Sequence, residues 1–255
     1  MNSSSRPSIS IGRWMSVFRS PFLLTHAVLP AIALTLWSGV FMALGGDFAI
    51  ADAVFSLQNH TWSFRESWLA VDVIHAGGRA LSMCVWMLVV LVWACTFLSP
   101  KLRQWRRALA YLILATLAGV AVASALKATS NMDCPWDLTR YGGTRAYFSL
   151  FSARPEGLSR GGCFPAGHSS AGYCWIALYF FLAKVRPRLR FWGLAAGLVT
   201  GFVFGVSQQF RGAHFLSHDV WTLAICWFSA LALYLAMFGQ PDRPPHLKDQ
   251  IADGR

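Results

Sequence analysis

The chain has 255 residues, of which 55% are hydrophobic and only 13% are charged, and its formal net charge is +11. Soluble domains carry roughly 25% charged residues, so this composition argues against a water-soluble protein. The charged residues are also clustered, which leaves long apolar runs between the clusters. Runs of about 18 or more apolar residues are typical of transmembrane helices. We therefore expect one all-α domain, residues 1–255, embedded in a membrane.

Six apolar runs predict six transmembrane helices. In chain order they are residues 22–44, 80–98, 108–126, 169–183, 191–210 and 220–238. Between the first two runs, apolar residues recur at helical spacing around residues 67–75, which predicts a short interfacial helix. No cleavage site of a secretory signal is evident near the start, so the first run is expected to remain as an anchor.

Lysine and arginine are distributed unevenly over the two sides of this bundle. The tails, residues 1–20 and 239–255, and the short loops 101–107 and 184–190 carry fourteen of them, and the opposite side carries eight. Basic residues concentrate on the cytoplasmic side of membrane proteins. We therefore expect both termini in the cytoplasm and the other loops on the opposite face of the membrane. The net charge then reflects topology, so we expect a lipid bilayer and no nucleic acid as partner.

Three polar segments lie at the ends of the predicted helices on that opposite face, at residues 127–137, 165–168 and 207–219. Polar groups near a membrane are costly, so their clustering predicts a functional site. Lysine and arginine bind phosphate oxygens. One histidine can attack phosphorus, a second can protonate the leaving oxygen, and a carboxylate can orient the first. These residue types favour phosphoryl transfer.

The order of these residues resembles the type 2 phosphatidic acid phosphatase superfamily. The resemblance covers residues about 108–238 and rests on three motifs: Lys127-x6-Cys134-Pro135, Pro165-Ala166-Gly167-His168 and Ser207-x6-His214-x4-Asp219. In that family the motifs are Lys-x6-Arg-Pro, Pro-Ser-Gly-His and Ser-Arg-x5-His-x3-Asp. The family includes bacterial membrane lipid phosphatases and shares its site with vanadium haloperoxidases. The resemblance implies a lipid phosphatase of the bacterial inner membrane that needs no metal and no cofactor. The face opposite the cytoplasm is then the periplasmic face.

Several positions depart from the family motifs. Cys134 and Gln208 stand where the family has arginine, and Ala166 stands where it has serine. His218 occupies the position of the family aspartate, and Asp219 follows it directly. His214 and His218, four residues apart, could also bind a metal, but no third ligand is evident.

The resemblance nevertheless implies a role for each residue that matches a motif or stands close to one. We expect His214 as the nucleophile, His168 as the general acid and Asp219 as the carboxylate that orients His214, with His218 as an alternative support or a bystander. The expected phosphate-binding residues are Lys127, Arg211, Gly167, Ser169, Arg140 and Arg160. Of these, Ser169 would compensate for the missing serine hydroxyl, and Arg140 and Arg160 for the missing charge.

Two cysteines, Cys134 and Cys163, lie in polar segments of the same periplasmic side, each close to a motif. The periplasm is oxidising. We therefore predict a disulfide that joins the first motif to the second; the alternative is two unrelated buried thiols.

The predicted function is hydrolysis of a lipid phosphate or pyrophosphate monoester at the periplasmic face, through a phosphohistidine intermediate. One alternative is a phosphotransferase that moves the phosphoryl group between lipid carriers, for example onto lipid A. Another is a non-catalytic lipid-binding or transport protein. Phosphatidic acid, phosphatidylglycerol phosphate, undecaprenyl pyrophosphate and lipid A all fit a cationic, apolar site, and the motifs leave the oligomeric state open.

Overall fold

The computed structural model describes residues 20–150 and 152–239, so the predicted tails lie outside the described residues apart from one residue of each. The helices are α1 (residues 21–43), α2 (Gly46–Leu57), α3 (Leu69–Leu98), α4 (Pro100–Thr129), α5 (residues 167–185), α6 (Pro187–Phe210) and α7 (Leu216–Phe238). Five of them, all except α2 and α5, are long and apolar enough to cross a membrane. The expectation of an all-α membrane protein is confirmed.

The fourth predicted span, residues 169–183, is helical but is not among these five. It forms α5, in which the 3-10 turn Cys174–Ile176 separates two α-helical parts. Its middle is enclosed by protein, since Ile176, Ala177 and Phe180 are fully buried. The six-span topology therefore stays a prediction.

The segment between the first two spans differs from expectation. Residues 69–77, predicted as part of a separate interfacial helix, form a π-helical stretch that continues directly into Gly78–Leu98. Helix α2 was not predicted. Its two aspartates make the segment resemble a polar loop. Their hydrogen-bond partners lie far along the chain: Asp47 accepts from Ser217 and Asp52 from Arg140.

The core lies where α4, α5 and α7 meet. Buried apolar residues of all three helices form its main cluster, which comprises Tyr111, Leu112, Ala115, Ala177, Tyr179, Phe180, Ala230, Leu231 and Tyr234. The hydroxyl of Tyr111 donates a hydrogen bond to the carbonyl of Ala230 at 3.0 Å, which links α4 to α7.

Helix α6 packs closely against α5 and α7 through a row of buried glycines at every fourth residue: Gly193, Gly197, Gly201 and Gly205. A Cβ atom on Gly193 would lie 2.8 Å from the backbone of Leu178, and one on Gly205 would lie 2.8 Å from the carboxylate of Asp219. Small residues allow helix backbones to approach in membranes. This close packing brings the end of α6 to the starts of α5 and α7.

The segment between α4 and α5 covers these helix ends and is fixed by a buried ion cluster. The carboxylate of Asp133 is fully buried and accepts hydrogen bonds from Arg145 at 2.6 Å and from Arg154 at 2.8 Å. Burial raises the pKa of Asp133, but the hydrogen bonds from the two arginines outweigh it, so that the pKa lies below its usual value. The carboxylate therefore stays ionised and ties the segment together.

Candidate active site

The first and second motifs meet at the end of α4 and the start of α5. Lys127 lies in the last turn of α4, and Gly167 is the first residue of α5. A Cβ atom on Gly167 would lie 3.4 Å from Cδ and 3.5 Å from Nζ of Lys127, so the lysine side chain passes directly over the glycine. Since the N–H groups at a helix start attract anions, the lysine and these N–H groups can bind the same phosphate.

The segments that carry these two motifs run side by side. The N–H of Cys163 donates to the carbonyl of Met132 at 3.0 Å, and the N–H of Gly162 donates to that of Ser130 at 3.3 Å. In the structure the sulfur atoms of Cys134 and Cys163 are bonded, and their Cα atoms lie 5.3 Å apart. The geometry thus suits the predicted disulfide, whose formation in cells stays a prediction.

The third motif contacts both of the others. The N–H of Trp136 donates to the carbonyl of Gly212 at 2.9 Å, which joins it to the first motif. The N–H of Ala166 donates to the carbonyl of His218 at 3.3 Å, and the hydroxyl of Thr222 donates to the carbonyl of Ala166 at 3.2 Å. The three polar segments therefore form one site at one end of the bundle.

His214 lies in the turn between α6 and α7 and is paired with His218. Their Nδ1 atoms are 3.4 Å apart, and both side chains are buried. The pKa of His214 is lowered well below its ordinary value, first by burial and then by His218 and Lys127. Burial therefore favours the neutral form of His214.

Asp219, the expected support of His214, is placed differently. Its carboxylate accepts hydrogen bonds from the hydroxyl of Ser169 and from Nε2 of Gln209, the latter at 2.7 Å. His218 and Asp219 are adjacent in α7, so their side chains leave the helix about 100° apart. His218 therefore faces His214, whereas Asp219 faces α5 and α6. Ser169, expected to bind phosphate, uses its hydroxyl in this contact.

Arg211 contacts Gln208, the residue at the sequence position of a family arginine. Gln208 occupies the sequence position of that arginine, and its Oε1 accepts a hydrogen bond from Nη1 of Arg211 at 3.3 Å. The guanidinium also donates through Nε to the carbonyl of Arg65 at 2.9 Å. The side chain is buried, and Nη1 lies 2.9 Å from Nδ1 of His75. Arg211 thus brings a positive charge to the place that Gln208 leaves uncharged.

His75 is a site residue that the sequence analysis missed. It comes from the π-helical start of α3, and its ring centroid lies 3.6 Å from that of His168. Together with Arg79 and Gln208, these two histidines line a small cavity. In the sequence, His75 is a histidine among apolar residues at helical spacing. Such a pattern does not distinguish a functional site from an ordinary helix face.

The two other candidate arginines lie apart from this cluster or at its edge. Arg140 donates through Nε to Asp52 at 2.8 Å and forms an ion pair with the same carboxylate, so its charge is used elsewhere. Arg160 is exposed, and its Nη1 lies 3.5 Å from the carbonyl of Ala128, next to Lys127. Of the two, Arg160 remains a candidate phosphate ligand.

Over residues 20–150 and 152–239, no three His, Cys, Asp or Glu side chains lie close enough together to hold a metal ion. The site that the structure assembles there consists of cationic side chains, histidines and the backbone N–H groups of a helix start.

Comparison with known proteins gives a family and one similar structure. No curated protein sequence matches the chain. A phosphatidylglycerolphosphate phosphatase from Bacillus subtilis, described as the first transmembrane PAP2 type, has a similar structure with 20% sequence identity and a TM-score of 0.48, over 90% of this chain and 99% of that one. The family model described as PAP2 superfamily matches residues 108–242, which include all three motifs. The chain belongs to the PAP2 superfamily.

Proposed function

We propose that the chain is a membrane phosphatase that hydrolyses a lipid phosphate or pyrophosphate monoester. The observation that carries the proposal is the meeting of Lys127, His168, Arg211 and His214 at one end of the bundle. Two cations, a neutral nucleophile and a second histidine are the groups that phosphoryl transfer requires. Membership of the PAP2 superfamily supports the same chemistry.

In the proposed reaction, Lys127, Arg211 and the N–H groups around Gly167 hold the phosphoryl oxygens. Nε2 of His214 attacks phosphorus, forming a P–N bond as the P–O bond to the lipid breaks. His168, as an imidazolium beside the bound phosphate, gives its second ring proton to the leaving oxygen and becomes neutral. Water then attacks the phosphohistidine with His168 as base, which releases inorganic phosphate and restores both histidines.

His218 is the proposed support of His214. If Nδ1 of His214 donates to Nδ1 of His218, the second ring fixes the orientation that points Nε2 at phosphorus, as a carboxylate does in a catalytic triad. Asp219 then has a different role: its bonds to Ser169 and Gln209 hold α5, α6 and α7 together beside the reacting groups.

The proposed topology has six spans, with α5 as the fourth and with both termini in the cytoplasm. The support is the fourteen basic residues on one side against eight on the other. The site then faces the periplasm. A membrane-impermeant thiol reagent, applied to intact cells, should label Ser159→Cys and spare Arg103→Cys. The reverse pattern would refute this orientation.

A phosphotransferase is the second candidate. His214 is only 4% exposed. A phosphoryl group on His214 can therefore be taken only by an acceptor that passes the groups covering this residue. An acceptor that enters from the bilayer, such as a lipid sugar of the lipid A type, would take the phosphoryl group in place of water. The first half of the reaction is the same in both cases.

A panel of lipid phosphates separates these functions. The protein in detergent is mixed with phosphatidic acid, phosphatidylglycerol phosphate, undecaprenyl pyrophosphate or lipid A, and phosphate release is measured. Release without an acceptor supports hydrolysis, and turnover only with an acceptor lipid supports transfer. His214→Ala and His168→Ala should each abolish turnover, whereas His60→Ala, at an exposed histidine outside the site, should not. Unchanged turnover in both site variants would exclude the proposed mechanism.

A further inference from the structure

We infer that His75 is a positioning residue of the phosphate site, which holds Arg211 in the place of the missing family arginine. The inference rests on the proposed function, because it assigns the role of Arg211 to phosphate binding. It concerns a residue from α3, outside the three motifs and outside residues 108–242 that match the family.

The packing of α3 fixes where His75 lies. A Cβ atom on Gly78 would lie 2.6 Å from the ring of Phe204, so α3 and α6 are in close contact one turn after His75. One turn further on, the hydroxyl of Ser82 donates to the carbonyl of Ala171 in α5 at 2.7 Å. Residues three and seven positions apart share a helix face. The face that contacts α5 and α6 therefore carries His75 to the site.

The chemistry of the contact fixes the state of His75. A guanidinium has only hydrogen-bond donors. Because Nη1 of Arg211 lies 2.9 Å from Nδ1 of His75, that nitrogen must be the acceptor. His75 is then neutral and carries its hydrogen on Nε2. The bond orients the guanidinium and leaves its positive charge uncompensated. A carboxylate partner would instead neutralise that charge.

The charge of Arg211 stays available to a ligand. Its three hydrogen-bond acceptors are the carbonyl of Arg65, the amide of Gln208 and the ring of His75, and all are neutral. Within the described part of the chain, Arg211 takes part in no salt bridge. A buried, oriented and unneutralised guanidinium is a strong phosphate ligand.

His75 also contacts the proposed general acid. Its ring and that of His168 lie at an angle of 57° with their centroids 3.6 Å apart. A single residue of α3 thus touches both the cation that would bind the phosphoryl group and the histidine that would protonate the leaving oxygen. This double contact separates His75 from a residue that only fills space between helices.

Binding of inorganic phosphate to the full-length protein in detergent tests the inference without requiring turnover. Calorimetric titration should show that His75→Ala weakens phosphate binding about 10-fold, the effect of losing a hydrogen bond to a buried charged group. His75→Asn should restore binding to within about threefold, because its Oδ1 can accept where Nδ1 did. Met83→Ala, which changes an exposed side chain of the same helix away from the site, is the matched control and should bind as the wild type does.

A double-mutant cycle shows whether His75 acts through Arg211. In an Arg211→Ala background, His75→Ala should weaken phosphate binding no further, since coupled residues are not additive. The inference is overturned if the wild-type protein binds no phosphate, if His75→Ala binds as the wild type does, if His75→Asn is as weak as His75→Ala, or if Met83→Ala is equally weak. If phosphate binds as expected but no lipid phosphate is turned over, the proposed function fails and the inference stands.

Discussion

The identity of the group that supports His214 is the most direct test of the proposed site. The family motif places an aspartate four residues after the nucleophile, whereas this chain has His218 there and Asp219 next to it. The structure pairs His214 with His218 and bonds Asp219 to other helices. We therefore expect His218→Ala to impair catalysis and Asp219→Asn to impair mainly the stability of the fold.

The size of the first effect follows from the geometry. Removing the carboxylate of a serine-protease triad costs about 10,000-fold in kcat. The contact here joins two neutral rings whose Nδ1 atoms are 3.4 Å apart, longer than the usual 2.9–3.0 Å of an N–H hydrogen bond. A weaker support should cost less, so we expect a loss of about 100-fold in kcat for His218→Ala, at the lower end for positioned groups.

The effect of Asp219→Asn should fall on stability. The new amide can still accept from Ser169, but its NH2 group would face the donor Nε2 of Gln209. A buried mismatch of this kind costs about 1–3 kcal/mol of unfolding free energy. Since Asp219 does not contact His214 in the structure, kcat of the folded variant should fall much less than for His218→Ala.

The assay combines phosphate release with thermal unfolding of each variant in detergent. His218→Asn, which keeps a short polar side chain at the position, should recover part of the loss of His218→Ala. The reasoning is refuted if Asp219→Asn loses about 100-fold in kcat with an unchanged Tm, or if His218→Ala turns over at the wild-type rate.

Three further changes have defined outcomes. Cys134→Ser should lower the unfolding free energy by about 2–4 kcal/mol if the predicted disulfide forms, because that bond would join residues 29 positions apart. Asp133→Asn should cost about 3–5 kcal/mol at pH 7, because the buried Arg154 and the partly exposed Arg145 would lose their anionic partner. Because the folded-state pKa of Asp133 is lowered, its stabilisation is complete above the ordinary value and is lost as the pH falls through the folded value, so the variant should lose less stability on acidification. Gln208→Arg, which restores the family residue, should lower kcat/KM roughly 10-fold, since a second buried guanidinium would be repelled by Arg211.

Unfolding curves in detergent, with and without a reducing agent, measure the first change, and mass mapping that finds both thiols free in periplasm-exposed protein would contradict it. Unfolding between pH 3 and pH 7 measures the second, and parallel curves for variant and wild type would contradict it. Phosphate release measures the third. A rise in kcat/KM of Gln208→Arg would show that Arg211 does not occupy the position of the family arginine.

The spans were predictable from the sequence because the bilayer determines their length and composition. Residues 22–44, 191–210 and 220–238 were placed to within four residues of the helix ends that the structure shows. Apolar runs of this length are typical of helices that cross the hydrocarbon core and are uncommon elsewhere. The convergence of the three motifs also followed, because each sits at the same end of a predicted helix.

The segment between α1 and α3 was less predictable, for a physical reason. Asp47 and Asp52 make a short helix resemble a polar loop in the sequence. Their hydrogen-bond partners lie 170 and 88 residues further along the chain, respectively. His75 was missed for the same reason: its partner Arg211 is 136 residues away. No local pattern marks a residue whose function depends on contacts at such separations.

We propose that the positions that depart from the family motifs let the site work with fewer charged ligands. At 134 an arginine is lost, but the cysteine there can bond to Cys163 beside the second motif. At 166 a hydroxyl is lost, while the backbone of that residue is fixed to α7 through two hydrogen bonds. At 208 the charge is lost, and Arg211 is oriented beside it by His75. Each position that lacks a family ligand thus lies at or beside a contact that restricts the conformation of its motif. A preorganised site needs fewer ligands to orient a phosphoryl group, because less order has to be gained on binding.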